Sequence, residues 1–181
     1  MRDEYEIDIG WRAFPLHPDT PLQGLSLEEL FEGRPVDVPK MAADLKRRAE
    51  ELGLPFGRRE KTFNSRLAQE LGKYAESLGL GDSYHDAVFR AYFADGKNIA
   101  DLSTLLELGA SVGMSETAGR HVLEARAFKD AVDSDWRRSR VFGINAVPTF
   151  MINHQVLVGA QPYKNLVMFM EHHRINRRRD T

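Results

Sequence analysis

The 181 residues are 42% hydrophobic and 29% charged, with a formal net charge of −2. That balance excludes a generally basic nucleic-acid binder and gives no electrostatic draw toward an anionic membrane. No apolar run approaches the ~20 residues that span a bilayer. The chain has no cysteine, which excludes a disulfide framework, a thiolate metal site and a cysteine nucleophile within it.

The acidic, alternating start is unlike a secretory signal, so a cytoplasmic location is expected. From Glu4 to Phe14 apolar and polar residues alternate: Tyr5, Ile7, Ile9, Trp11 and Ala13 against Glu4, Glu6, Asp8 and Arg12. That period predicts a half-buried strand, ended by Pro15 and Pro18. Residues 19–39 read as loop, with a short helix from Ser26 to Phe31, where Ser26 and Glu29 have capping-box spacing. Helices follow over Lys40–Leu52, Phe63–Leu78, Ser83–Phe93, Asp101–Val112, Ser115–Ala125 and Ala127–Phe142. Gly53, Gly79 and Gly143 stand where C-terminal caps are needed. The period then changes. Thr149–Ile152 and Val156–Val158 predict a hairpin across Asn153-His154-Gln155. Pro162 opens a last helix to about Arg174, with Leu166, Val167, Phe169 and Met170 apolar.

The stretches WRAFPLHP (Trp11–Pro18), FNSRLAQELGKYAESLG (Phe63–Gly79), FRAYFADGKNIAD (Phe89–Asp101), FGINAVPTFMI and GAQP lie in this order over nearly the whole chain. In that order they resemble the DsbA-like thioredoxin family. The nearest branch is the FrnE-like group, related to hydroxychromene-carboxylate isomerases and kappa-class glutathione transferases. The resemblance implies an α/β fold: a thioredoxin-like core over 1–38 and 143–181, with a large α-helical domain inserted over 39–142. It also implies that the core is incomplete, because the family's first strand and helix, with Cys-x-x-Cys at the helix start, would precede Met1. Three explanations fit: a fragment of a longer protein, a shift of strand 4–14 into the central position, or a second copy closing the sheet. A homodimer is the expected assembly.

By lineage the chain is thus a thiol–disulfide oxidoreductase or isomerase that, without cysteine, is redox-inactive as given. An alternative is a non-catalytic module that binds peptide or self-assembles. A glutathione-dependent isomerase or transferase is a third reading. No cofactor is expected.

The resemblance also marks residues. It implies that Pro148 is cis and that Val147, Pro148 and Thr149 present backbone to an extended peptide or to glutathione; an ordinary strand-start proline is the plain reading. Gln161, beside Ala160 before the last helix, stands where glutathione-using relatives place a Ser-Asp-like pair that holds the γ-glutamyl group; Ala160-Gln161 departs from that pair, and a helix cap is the preferred reading. Asn64, followed by Ser65, lies where some relatives approach substrate, and here capping is preferred. The six histidines show no ligand spacing. The basic tail Arg174–Arg179 reads as a solvated, disordered end.

Overall fold

In a computed structural model of the chain, residues 1–178 are described, and the chain divides into two compact units. One is His17–Val132 and the other joins Met1–Leu16 to Asp133–Thr181.

The first unit is mainly helical. Strand β1 (Leu25–Ser26) runs straight into helix α1 (Leu27–Leu30). The capping box forms: the Glu29 N–H donates to Ser26 Oγ at 3.1 Å, and the Ser26 N–H donates to Glu29 Oε2 at 2.7 Å. Helix α2 (Val38–Glu51) starts at Asp37, whose carboxylate accepts from the Lys40 N–H. Strand β2 (Lys61–Thr62) pairs antiparallel with β1, a two-residue ladder inside a stretch that reads as connection. Helices α3 (Arg66–Ser77), α4 (Gly81–Phe93), α5 (Leu102–Ser111) and α6 (Glu116–Glu124) then form the core. Gly53 and Gly79 take left-handed conformations past α2 and α3, as the caps require. The buried cluster joins Leu71, Ala75, Tyr84, Leu105, Leu106 and Leu123. Ala68, Leu71 and Ala75 form the α3 stripe, whereas Leu78, past the last turn, is exposed.

A buried carboxylate is part of the same unit. Glu70 is 1% exposed and receives Arg66 Nε at 2.6 Å, Arg126 Nε at 2.7 Å and Arg126 Nη2 at 2.6 Å. Burial pushes this carboxyl up, but the two guanidiniums push harder and hold it below the usual range. Arg126 follows α6 with a φ of 52°, where glycine is the usual residue.

Helix α7 (Lys129–Val141) spans the boundary between the units and leads into the second. That unit continues with strands β3 (Thr149–Ile152) and β4 (Gln155–Val158) and helix α8 (Tyr163–His172). The hairpin pairs Thr149 with Val158 and Ile152 with Gln155. Its turn is shorter than expected: Asn153 and His154, both at positive φ, form it alone, and Gln155 is already strand. That left-handed pair matches the twist of two-residue hairpins. Pro162 sits one residue outside α8, as its N-cap, and Met170 is buried from the helix.

Two expectations fail in this unit. Residues 4–14 form no strand. Tyr5 makes an isolated bridge to Arg177, while Ile9 is 46% and Trp11 37% exposed. Alternation becomes a strand only when a neighbour takes its ladder bonds, and among the described residues none does so beyond Glu6. What fixes Ala13 is instead its N–H donating to Asp135 Oδ2 on α7 at 2.9 Å. The basic tail is also not solvated throughout. The Glu6 N–H donates to Asn176 O at 2.9 Å, and the Arg178 N–H donates to Glu4 O at 2.8 Å. The Arg177 guanidinium lies 5.2 Å from the centroid of the buried Tyr5 ring. Arg179 lies outside the described residues.

Candidate functional site

The second unit carries the turn from Gly143 to Pro162. Gly143, at φ 64°, ends α7: its N–H reaches Arg140 O and the Ile144 N–H reaches Ser139 O. Phe142 stacks on His154 at the hairpin tip, and the Arg138 guanidinium lies 5.0 Å from the Phe142 ring centroid. Between these points the chain runs exposed through Val147 and Pro148, and the peptide bond joining them is cis. The Thr149 hydroxyl donates back to Ala146 O at 2.7 Å. The Gly159 N–H donates to Pro148 O at 2.7 Å, which carries the β3–β4 ladder one step past Thr149.

Gln161 closes the arrangement from the other end. Its Nε2 donates to Val158 O, and its Oε1 accepts from Asn165 Nδ2 at 2.8 Å. The carboxamide therefore brackets the end of β4 to the first turn of α8. Val147, Pro148, Thr149 and Gln161 thus share one hairpin and its helix.

Asn64 belongs to the helical unit. Its Nδ2 donates to Pro18 O at 3.0 Å and Thr20 O at 2.8 Å, and its Oδ1 accepts from the Arg66 N–H at 2.9 Å. It both ties the 18–20 loop to α3 and satisfies a first-turn amide. Ser65, the N-cap, makes no capping bond; its hydroxyl accepts from Gln69 instead.

Chemically the Val147 turn offers recognition groups and no thiol. Val147 is 43% exposed, and among the described residues its N–H and C=O make no backbone hydrogen bond. The outer edge of β3 likewise has no partner strand among them. Unpaired, solvent-facing backbone of this kind accepts an extended chain by adding a strand. From Val141 through Tyr163 there is no Asp, Glu, Lys or Arg. No helix among the described residues is long and apolar enough to cross a membrane.

Sequence reasoning missed two constellations. Arg66 and Glu70 stand four apart on α3, a readable pair, but Arg126 is 56 positions from Glu70 and gives no local signal. Arg59, whose Nη1 donates to the Tyr92 hydroxyl at 2.9 Å, had no pattern to reveal it.

Comparison with known proteins agrees with this architecture. The structure is similar to a probable DsbA oxidoreductase from Streptomyces coelicolor, with a TM-score of 0.82 and 25% identity over 89% of this chain and 73% of that one. It is also similar to the cytosolic disulfide reductase DsbM from Pseudomonas aeruginosa, solved with glutathione. Here the TM-score is 0.57 and the identity 25%, over 77% of each chain. In sequence it is 28% identical to the Bacillus subtilis protein YwbO over 162 residues, 86% of this chain and 76% of that protein. The DSBA-like thioredoxin domain matches residues 1–171, and the chain, cysteine-free as it is, belongs to that family of oxidoreductase relatives.

Proposed function

We propose that this chain is a FrnE-like family member that recognises an extended polypeptide, or the cysteinyl part of glutathione, along Val147–Thr149 without exchanging thiols itself. Thiol exchange needs a thiolate to attack a disulfide sulfur, and none of these residues supplies one. The observation that carries the reading is the exposed Val147, with its two backbone groups unbonded at the start of the open β3 edge. The Pseudomonas relative is a cytosolic reductase solved with glutathione, which supports a cytoplasmic setting and the choice of glutathione as second ligand.

The test is calorimetric titration with an uncharged extended decapeptide, its alternately N-methylated twin, and reduced glutathione. Backbone pairing predicts saturable heat with the peptide or glutathione and none with the twin. Silence from both ligands, or equal heat from the twin, rejects the reading.

A second copy of the chain is the competing occupant of the hairpin. The uncharged run from Val141 to Tyr163 favours it, because two copies meet there without like-charge repulsion. Light scattering across a dilution series then returns twice the 20.6 kDa chain mass.

A further inference from the structure

The helical unit leaves one face of α2 uncovered. Met41 and Leu45 of that helix line a groove of about 420 Å³, walled also by Leu27 and Phe56. This volume falls within the ~300–1,000 Å³ of small-molecule sites. The far wall is fixed by backbone. The Gly57 N–H donates to Phe93 O at 2.9 Å, and a Cβ at residue 57 would lie 1.9 Å from Ala94 O. Only glycine lets Phe56 and Arg58 run so close to the end of α4.

The charges lining the groove are one-sided: Lys46, Arg58 and Arg59, with no carboxylate. Lys46 and Arg58 are exposed and pair with Glu50 at 3.8 Å and Glu60 at 3.4 Å. Arg59 is different. It is half-buried, and its guanidinium carbon lies 5.0 Å from the Tyr92 ring centroid and 5.6 Å from that of Phe93. Apart from the bond to the Tyr92 hydroxyl, no acid pairs with it among the described residues. Arg34 likewise has no ion pair among them. Burial, then Arg34 and Arg59, hold His17 below its ordinary value, which agrees with a positive potential here. A stacked, partly desolvated guanidinium keeps a planar fork of donors that fits a carboxylate.

We propose that this groove binds an amphiphilic monocarboxylate, its head on Arg59 and its hydrocarbon tail along Leu27, Met41, Leu45 and Phe56. The site is independent of the Val147 edge.

The test titrates the full chain with sodium dodecanoate below its micellar concentration, and with dodecyltrimethylammonium, which has the same tail and the opposite head. Saturable one-to-one binding of dodecanoate, with none of the ammonium, is expected. Leu45→Glu places a carboxylate on the tail wall at a solvent-facing position, and Arg59→Met removes the head contact. Each weakens dodecanoate about tenfold or more. Far-UV circular dichroism checks that the variants fold; if Arg59→Met does not, Leu45→Glu decides. No saturable heat with the wild type, equal binding of the ammonium, or unchanged binding by Leu45→Glu overturns the proposal.

Discussion

The two units solve the same problem with unequal success. In His17–Val132 the side chains of Leu71, Ala75, Tyr84 and Leu105 are at most 1% exposed, and even a buried carboxylate has its cations. In the other unit Tyr5 is buried, but Phe150, Val156, Val158 and Met168 stay open to solvent. The contrast follows from where backbone hydrogen bonds are satisfied. A helix pairs its own N–H and C=O groups, so a helical unit needs only side-chain packing to close. A strand borrows its partners, and a two-stranded sheet is marginal by itself. The open unit is also the one that holds the Val147 turn, so the exposed strands and that candidate site lie in the same unit.

The largest expected effect tests this contrast directly. Leu105→Ala empties a fully buried position and costs about 3–4 kcal/mol. Phe150→Ala, at a 38% exposed position, costs about 1 kcal/mol or less. Urea unfolding followed by circular dichroism measures both, and equal losses would erase the distinction between the units. Glu70→Ala comes next, at about 3 kcal/mol, because it removes the buried carboxylate that pairs with the largely buried Arg66 and with Arg126. Its carboxyl is held below the unfolded value, so its stabilising effect is present above the ordinary carboxylate range. That effect fades as pH falls through the lower folded value. The wild type should lose stability on acidification more steeply than Glu70→Gln, and parallel pH profiles would show that Glu70 is not the group responsible. Asn64→Ala removes three hydrogen bonds and costs about 1–2 kcal/mol, read from the same urea midpoint.

The same physics decided what could be read from sequence. Ser26 with Glu29, and the glycines after α2, α3 and α7, signal through neighbours a few residues away, so the helices and their ends were legible. The hairpin and α8 were legible for that reason too. The alternation of 4–14 was a true pattern without a neighbour to realise it, and only the Tyr5 bridge formed. The β1–β2 ladder is too short to have a period, and its strands are separated by the whole of α2. At the candidate site Val147–Thr149 was visible from the motif. The bracket formed by Gln161 is local, to Val158 and Asn165 within a turn of it, whereas the tether formed by Asn64 depends on the Pro18 and Thr20 carbonyls that folding alone brings near.

The smallest expected effect on stability is the one that most sharpens the comparison. Val156 is 44% exposed on β4, opposite Met151, in a strand with no charge of its own. In a closed unit a lysine at a strand position would disturb the core. Here Val156→Lys should shift the unfolding midpoint by no more than about 0.5 kcal/mol, because little packing is lost. Its effect falls instead on association, since a lysine on an edge strand is a common bar to pairing with another chain. If two copies pair through the hairpin, as the second reading proposes, the light-scattering mass drops from twice 20.6 kDa to a single chain while the urea curve stays in place. A variant that kept the doubled mass would move the dimer contact away from the hairpin. One that unfolded would mean that Val156 packs within its own chain, and that this unit is less open than its exposed strands indicate.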